Sequence, residues 1–341
     1  MKILVIQTAF LGDAILTLPL IQKLHSKFPN SKISVLSIPA SKEIFDVSEF
    51  VNETIVYDKR RKDKSLKSFI NLIKKIRNEK FDQIYSPHRS LRSSLVVAFS
   101  SCKETFGFNT ASMGFVYKYK IEYKKDIHEV ARNLNLGGFD ISRDNWKIFP
   151  DIKIHPRTEE KIDKEIKNNL KNEFIILALG SVWATKKYPI GYFSEIAKYF
   201  ISEGYGIALI GGIDDVIESE SLSNDLGNNA VSFAGKLSLI ESIALIKGSR
   251  VLICNDSAPT HLGMATSTPV VTMYCSTIKD FGFFPYAENS LVISYDDLDC
   301  KPCGIHGRNK CPLIHFNCGY KLIPQFVIDK INTSILNKKL N

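Results

Sequence analysis

Short apolar runs alternate with segments of helical periodicity along almost the whole chain. Runs in the first half predict strands at residues 2–7, 32–37, 54–57, 81–86 and 105–108. Runs in the second half predict strands at residues 174–179, 206–210, 230–233, 250–254 and 270–274. The segments between them repeat apolar side chains at helical spacing. Such regular alternation of strands and helices is typical of α/β proteins built on parallel sheets.

Prolines and polar stretches divide this pattern further. Pro19 lies inside the first helical segment, so we expect it to bend that helix or to mark its true start. Residues 145–158 are polar, contain two prolines, and therefore predict a linker. A last apolar helix is predicted near residues 323–336. We expect two Rossmann-like domains, residues 1–150 and 151–341, with the last helix either in the second domain or packed back on the first.

The composition is that expected of a soluble globular protein. The 341 residues are 44% hydrophobic and 24% charged, enough for a sizeable core. No apolar run approaches the roughly 18 residues that a membrane-spanning helix needs. The opening Met-Lys-Ile-Leu-Val-Ile-Gln is soon followed by Gly12-Asp13, so it predicts a first strand and not a signal peptide. Seven cysteines, an odd number, favour a reducing cytoplasm.

The net charge of +9 is concentrated in the first half of the chain. Residues 1–150 hold 25 Lys or Arg and 15 Asp or Glu, with the densest basic clusters at residues 59–64 and 88–92. A basic half favours an acidic partner: nucleic acid, anionic lipid, or a phosphorylated or carboxylated substrate. A merely solvated lysine-rich surface is the other interpretation. RNA is disfavoured because aromatic platforms are not interleaved with the basic residues.

Four predicted strands end in small polar turns, at residues 8–13, 180–186, 211–215 and 254–263. In the last turn, Asp256 or Ser257 can cap the helix that follows, and Pro259 fits its first turn. Free amides at a helix N-terminus form a site for an anion such as a diphosphate, although an ordinary capped turn is the alternative. Because ligands of doubly wound sheets bind outside the carboxyl ends of the strands, these turns are expected to line one crevice.

None of these turns contains the dinucleotide fingerprint Gly-x-Gly-x-x-Gly or a Walker phosphate loop, which argues against NAD enzymes and P-loop NTPases. Two Rossmann-like domains facing each other across a cleft occur in GT-B glycosyltransferases, in related epimerases and in periplasmic binding proteins. The missing signal peptide argues against the last class.

The chain resembles the lipopolysaccharide heptosyltransferases of glycosyltransferase family nine. The matching segments are LGDAILTLP (11–19), LGSVWATKKYP (179–189), GGIDD (211–215), NDSAPTH (255–261) and the cysteine-rich stretch 300–318. The resemblance implies a GT-B fold, with two Rossmann-like doubly wound parallel-sheet domains facing across a cleft. It also implies a nucleotide-sugar donor held by the C-terminal domain and an acceptor glycan held by the N-terminal domain. Inversion at the anomeric carbon, with no cofactor and no catalytic metal, is implied as well.

Inverting transfer needs a base for the acceptor hydroxyl and a positive environment for the departing diphosphate. Asp13 matches the proposed catalytic carboxylate of the family, and the alternative role for it is a helix N-cap. Lys186 matches the family lysine that meets the donor phosphates, although Lys187 is close enough to compete for that assignment. Tyr188 stands where the family often has tryptophan.

The resemblance assigns eight residues to donor binding: Ser181, Thr185, Lys186, Asp215, Asp256, Ser257, Ala258 and His261. Ser257 and Ala258 would act mainly through backbone amides, although the family often has glycine in place of Ala258. His261 would bond a phosphate or sugar hydroxyl, and a structural histidine packed on the sheet is the alternative. Asp215 would hold the ribose, with Asp214 as its competitor.

Charge assigns the acceptor residues, which are Arg60, Arg61, His88, Arg89 and Arg92. A separate cluster of Cys300, Cys303, Cys311 and Cys318 encloses two histidines. Its spacing is compatible with a zinc site, and a packed or redox-sensitive thiol cluster is the alternative.

Together these features predict a cytoplasmic enzyme, peripheral at the inner membrane, that moves heptose from ADP-heptose to an acidic lipopolysaccharide-core acceptor. We expect a monomer with no nucleic-acid partner. The alternatives are transfer from another nucleotide sugar, and a non-catalytic protein that binds an anionic polymer or membrane.

Overall fold

Each half of the chain folds around its own parallel β-sheet. The computed structural model describes residues 1–59, 61–171 and 173–336. The chain divides into two compact units, Met1–Lys153 and Ile154–Asn341. In the described residues each unit has one six-stranded sheet, and the neighbouring strands are parallel.

The first unit alternates strands and helices from its start. Its elements are β1 Lys2–Ile6, α1 Leu11–Ile15, α2 Leu18–Lys27, β2 Lys32–Ser37, α3 Lys42–Asp46, β3 Glu53–Val56, α4 Leu66–Glu79, β4 Gln83–Ser86, α5 Leu91–Phe99, β5 Glu104–Phe108, β6 Tyr119–Ile121 and α6 Glu129–Leu136. The strand order is β3-β2-β1-β4-β5-β6.

The second unit repeats this plan. Its elements are α7 Pro156–Asn169, β7 Phe174–Ala178, α8 Ile190–Ser202, β8 Gly206–Ile210, α9 Val216–Leu226, β9 Ala230–Ser232, α10 Leu239–Lys247, β10 Leu252–Asn255, α11 Ala258–Thr266, β11 Val270–Tyr274, β12 Leu291–Ser294, α12 Asn317–Tyr320 and α13 Pro324–Ile331. The strand order is β12-β11-β10-β7-β8-β9.

Both sheets have the Rossmann strand order. Counted within its own unit, each sheet reads 3-2-1-4-5-6 from one edge, and the order reverses between the first and fourth strands. Those neighbours are β1 and β4 in the first unit, and β7 and β10 in the second. The carboxyl ends of these two strand pairs are therefore where each unit is expected to bind a ligand.

The structure corrects several predicted boundaries. The strands β6 and β12, both at sheet edges, were not predicted. Pro19 is in the first turn of α2, so it marks the true start of that helix. The predicted linker ends early, because Pro156 is already the first residue of α7, where its missing N–H is harmless.

The last predicted helix is present as α13, and it packs against α8 within the second unit. Its side chains Val327, Ile328 and Ile331 are buried in the core of that unit. No helix in the described part of the chain combines the length and hydropathy needed to cross a membrane.

Candidate functional site

The turn after β1 is held in shape by a buried glutamine. The side-chain amide of Gln7 donates to Thr17 Oγ1 over 2.9 Å, and its oxygen accepts from the Ala9 N–H over 3.2 Å. The Thr17 hydroxyl in turn donates to the Asp13 carbonyl over 2.8 Å. Gln7 and Thr17 are almost fully buried, so this network fixes the backbone that carries Asp13.

Asp13 is the third residue of α1 and not its N-cap. The residue at the N-cap position is Phe10, whose backbone N–H donates to Asp13 Oδ2 over 3.2 Å. Asp13 is therefore not the N-cap residue, and that alternative role for it is wrong. Its carboxylate still supports the helix start, from inside the first turn, where a negative charge is favourable.

His88, in the turn after β4, is bonded to the turn after β1. Its Nδ1 lies 2.8 Å from Thr8 Oγ1 and 3.1 Å from Ser93 Oγ. Burial lowers the pKa of His88 to about 4, with further lowering from the positive charges of Lys59 and Arg89. The imidazole is therefore neutral at physiological pH. Lys59, which the predicted acceptor set omits, donates to the Thr8 carbonyl over 2.8 Å.

Arg89 lies against an aromatic ring that was not predicted. Its guanidinium carbon is 3.8 Å from the centre of the Tyr123 ring, and its Nη1 donates to Thr110 Oγ1 over 3.1 Å. Burial raises the pKa of Tyr123; the Asp13 charge raises it further, whereas Arg89 lowers it. The charges of Asp13 and Arg89 therefore both act on the Tyr123 hydroxyl.

A buried ion pair supports the same region. Arg132 Nε donates to Glu129 Oε2 over 2.6 Å, and their side chains are only 1% and 9% exposed. Arg132 also donates to the backbone carbonyls of Lys124 and Lys125, and its guanidinium lies 5.1 Å from the Tyr123 ring centre. No motif in the sequence marks Glu129 or Arg132, because α6 places them here through tertiary packing.

The remaining predicted acceptor residues are not part of this network. Arg61 and Arg92 have exposed side chains. The charge of Arg92 lowers the pKa of Tyr57, which burial raises, so Arg92 lies near the segment after β3. Arg60 lies outside the described residues.

In the second unit, a buried asparagine joins the turns after β7 and β10. Asn255 is fully buried, and its side-chain amide donates to the Leu179 carbonyl over 2.7 Å. Its side-chain oxygen accepts from the Tyr188 N–H over 2.8 Å. The Ser257 hydroxyl adds a bond of 3.2 Å to the Gly180 carbonyl. We call the place where the strand order of this sheet reverses, between β7 and β10, its switch point. Side chains from the predicted motifs therefore hold the backbone at the switch point in position.

Lys186 points into this switch point, and Lys187 points away from it. Lys186 Nζ lies 2.6 Å from Asp256 Oδ2, and the two side chains are 13% and 9% exposed. The Thr277 hydroxyl donates to the same carboxylate oxygen over 2.7 Å. Lys187 instead pairs with Glu218 over 3.1 Å. The two adjacent lysines thus differ, and Lys186 is the one held beside α11.

The N-terminus of α11 has no side-chain cap in the described structure. Ser257 occupies the N-cap position, but its hydroxyl donates to the carbonyls of Gly180 and Asn255. The Asp256 carboxylate is engaged by Lys186 and Thr277. The prediction that Asp256 or Ser257 caps this helix is therefore wrong. The first turn, including the Ala258 N–H, keeps the positive end of the helix dipole for an anion.

His261 lies on α11 and is only 4% exposed. Burial lowers its pKa to about 4; the Lys186 charge lowers it further, and the Asp256 charge opposes the shift. Within the part of the chain that the structure describes, its Nδ1 has no hydrogen-bond partner. A buried nitrogen without a partner is costly, so a ligand atom that bonds it would gain more than an ordinary hydrogen bond.

Asp215 is fitted against two glycines. Its Oδ2 accepts from the Gly212 N–H over 2.9 Å. A Cβ atom at Gly180 would lie 2.4 Å from Asp215 Oδ1, so only glycine allows this approach. Burial raises the pKa of Asp215, and Lys187 opposes that shift. Asp214 is exposed, whereas the Asp215 side chain extends from the turn after β8 to Gly180 in the turn after β7.

The last two predicted donor residues differ in setting. Thr185 is 3% exposed, and its hydroxyl oxygen accepts from the Arg308 N–H over 2.7 Å and from Ser276 Oγ over 3.0 Å. Its backbone N–H donates to the Arg308 carbonyl over 3.0 Å. Thr185 therefore attaches the Lys186 turn to the cysteine-rich stretch. Ser181 is partly exposed in the turn after β7.

The cysteine-rich stretch contains free thiols. Cys318 is buried, and burial raises its pKa to about 11, whereas Cys300, Cys303 and Cys311 are partly exposed. The Cys303 thiol donates to the Cys300 carbonyl over 3.7 Å. Among the described residues, no group of three or more His, Cys, Asp or Glu side chains is arranged to hold a metal ion.

Two Rossmann-type units, one of them with a lysine beside an uncapped helix N-terminus at the carboxyl end of its sheet, form the GT-B fold. The chain belongs to glycosyltransferase family 9 (heptosyltransferase), whose family model matches residues 69–311. The fold class and the glycosyltransferase activity predicted from the sequence are thereby confirmed.

Known proteins of this family are similar over most of the chain. A lipooligosaccharide heptosyltransferase 2 of Haemophilus influenzae is 24% identical over 295 residues, covering 82% of this chain and 85% of that relative. The structure of E. coli ADP-heptose LPS heptosyltransferase II has a TM-score of 0.82 at 20% identity, covering 99% of this chain and 100% of the other. E. coli heptosyltransferase WaaC with ADP-2-deoxy-2-fluoro heptose has a TM-score of 0.72 at 17% identity, covering 98% and 99%.

Proposed function

We propose that this glycosyltransferase moves heptose from ADP-heptose to an acidic sugar of a lipopolysaccharide core, with inversion and without a catalytic metal. The observation that carries the donor side is the Lys186–Asp256 pair beside the uncapped start of α11. The choice of ADP-heptose is supported by the two similar E. coli proteins, since one is an ADP-heptose LPS heptosyltransferase and the other, WaaC, is bound to ADP-2-deoxy-2-fluoro heptose.

On the donor side, the residues supply positive charge where the leaving group becomes more negative. When the bond from the sugar to the diphosphate breaks, negative charge grows on the diphosphate oxygens. Lys186 and the Ala258 N–H stabilise that charge without reorganisation, because both are already in place. Asp256 is a positioning residue, since its carboxylate contacts Lys186 and Thr277 and fixes the ammonium group.

Two further side chains give the donor its orientation. The Nδ1 atom of His261 bonds a phosphate oxygen or a sugar hydroxyl, which supplies the partner that it otherwise lacks. Asp215, held against Gly180 and Gly212, accepts hydrogen bonds from the ribose hydroxyls. Thr185 acts through the backbone, by holding the turn that carries Lys186, and Ser181 contacts the donor from the same turn.

On the acceptor side, Asp13 takes the proton of the attacking hydroxyl as the new glycosidic bond forms. Arg89, fixed by Tyr123 and Thr110, binds an acidic group of the acceptor. His88 is neutral, so it contributes a hydrogen bond and not a charge. Arg61 and Arg92 extend the positive field around this site, and Arg60 adds its charge to the basic first half of the chain.

We place the enzyme in the cytoplasm as a monomer, peripheral at the inner membrane, and without a nucleic-acid partner. The positive charge of residues 1–150 supports this placement, because an acidic glycolipid acceptor lies in a membrane surface that is itself anionic.

Thermal unfolding with a panel of ADP-, UDP- and GDP-sugars tests the donor assignment. A donor at 100 times its dissociation constant adds about 2.7 kcal/mol to the free energy of unfolding. ADP-heptose is expected to stabilise the protein most at equal concentration. Greater stabilisation by a UDP- or GDP-sugar would favour the alternative donor.

A further inference from the structure

The first unit exposes large apolar side chains on neighbouring elements. Leu66 and Ile70 on α4 are 73% and 43% exposed, Leu91 at the start of α5 is 52% exposed, and Phe115 is 74% exposed. Helix α4 packs against α5, and the short turn Gly114–Val116, which carries Phe115, also packs against α5. We call these four side chains the apolar patch. Exposed apolar groups that cluster in this way mark an interaction surface.

The apolar patch lies at the carboxyl edge of the sheet. Leu66, Leu91 and Phe115 follow the carboxyl ends of β3, β4 and β5, and parallel strands bring those ends to one edge. His88 and Arg89 are in the turn just before Leu91. The patch is therefore next to the acceptor residues.

Positive charge accompanies the apolar side chains. Residues 59–78 contain nine Lys or Arg and a single acidic residue, Asp63. Lys62, Lys64 and Lys67 are exposed, and they lie four and two residues before Leu66 and one residue after it. An acidic protein could pair with the lysine charges, but this does not account for the exposed apolar side chains. Leucine and phenylalanine side chains next to lysines are typical of segments that bind at a membrane interface.

We propose that the apolar patch, with Lys62, Lys64 and Lys67, is the surface by which the enzyme docks on an anionic membrane. The inference rests on the proposed function, since docking at this edge presents a lipid-linked acceptor to Arg89 and Asp13. The apolar side chains enter the headgroup region while the lysine ammonium groups remain with the lipid phosphates. Docking thereby concentrates the enzyme where its acceptor lies.

Vesicle binding by the full chain tests this surface independently of sugar transfer. We expect binding to phosphatidylcholine vesicles that contain phosphatidylglycerol, and weak binding to pure phosphatidylcholine. The variant Leu66→Ser/Ile70→Ser/Phe115→Ser should reduce binding at least about tenfold, because the apolar area that enters the interface is lost. Replacing Lys62, Lys64 and Lys67 by glutamine should reduce it about fivefold per residue at low salt.

Matched variants in the second unit serve as controls. Ile217→Ser/Leu313→Ser/Phe326→Ser removes three side chains that are 84%, 57% and 43% exposed, and Lys164→Gln/Lys167→Gln/Lys171→Gln removes three charges. Both should bind vesicles as the native protein does. Equal losses in control and patch variants, or binding unaffected by the patch variants, would overturn the proposal, as would capture of the protein by acidic polypeptides but not by vesicles.

Transfer to a water-soluble acceptor glycan separates this inference from the proposed function. The patch variants should keep native turnover on the soluble acceptor while losing turnover on the acceptor in vesicles. Native protein that transfers no sugar to the soluble acceptor but binds anionic vesicles through the patch would refute the proposed function and leave the docking surface intact.

Discussion

The ammonium group of Lys186 lies 2.6 Å from the Asp256 carboxylate, and both side chains are almost buried. The pair stands at the N-terminus of α11, whose first turn has no side-chain cap among the described residues. Asp256 balances the lysine charge and holds the ammonium group in place, so under the proposed function the donor diphosphate would meet a cation that is already positioned. Preorganised positive charge of this kind contributes to catalysis because nothing has to reorient as the leaving group departs.

Replacing Lys186 should weaken donor binding and slow sugar transfer. Lys186→Ala removes a contact to the diphosphate and leaves Asp256 without its cation, so we expect kcat/KM to fall about a hundredfold and Tm to decrease. Lys187→Ala is the matched control, because Lys187 pairs with Glu218 at a more exposed position. Its kcat/KM should stay within about threefold of the native value. Equal effects of the two substitutions would contradict the assignment of Lys186.

Asp13→Asn should separate the catalytic role of Asp13 from its structural role. The asparagine side-chain oxygen can still accept the bond from the Phe10 N–H, so Tm should change little. Turnover should fall by about a hundredfold or more, since asparagine cannot act as the base. The donor dissociation constant, measured by calorimetry, should be unchanged. Turnover near the native level would show that Asp13 is not the base.

His261→Leu should weaken donor binding without destabilising the free protein. The native Nδ1 is buried without a partner among the described residues, a situation that costs about 1–3 kcal/mol. Leucine removes that cost and fills a similar volume, so Tm at neutral pH should be maintained or raised. Loss of the ligand bond should raise the donor dissociation constant about tenfold. A large fall in Tm with unchanged donor affinity would mean that His261 is only structural.

The two buried histidines should make stability depend on pH. Burial lowers the pKa of His88 and of His261 from 6.5 to about 4. Between these values the unfolded chain binds protons that the folded chain does not. The free energy of unfolding that depends on these two histidines is therefore fully present above about pH 6.5. It is lost progressively as the pH falls toward about 4.

Denaturant unfolding at several pH values measures this effect. His261→Leu should reduce the slope of unfolding free energy against pH by up to about 1.4 kcal/mol per pH unit in that window. His88→Gln should reduce it in the same direction. His155→Asn is the control, because His155 is exposed and asparagine can still cap α7. A slope that none of these substitutions changes would assign the pH dependence to other groups.

The sequence predicts the interior strands of each sheet and the edge strands β3 and β9, but it misses the edge strands β6 and β12. The central strands β1 and β7 are continuous apolar runs because helices cover both of their faces. The missed strands differ: Tyr119–Ile121 has only three residues, two of them exposed, and Leu291–Ser294 is mostly half-buried. At an edge, tertiary pairing decides whether such a short segment becomes a strand.

The candidate site shows a similar division. The turns that carry Asp13, Lys186 and Asp256 could be located because each follows a strand of its own sheet, whereas the roles of these residues are implied by the resemblance to the family and stay predictions. The choice between Lys186 and Lys187 needed the fold, since adjacent side chains leave the backbone in different directions. Tyr123 and Arg132 could not be predicted, because only the packing of α6 and the segment before it places Tyr123 against Arg89 and Arg132 against Tyr123.

Sugar transfer itself tests the central claim most directly. The protein is incubated with ADP-heptose and an acidic lipopolysaccharide-core acceptor in the presence of a metal chelator, and the product is examined by mass spectrometry and NMR. We predict addition of one heptose with inverted anomeric configuration, and loss of this product with Asp13→Asn. Transfer from a UDP- or GDP-sugar but not from ADP-heptose would contradict the account. Transfer that requires an added metal ion would contradict it as well.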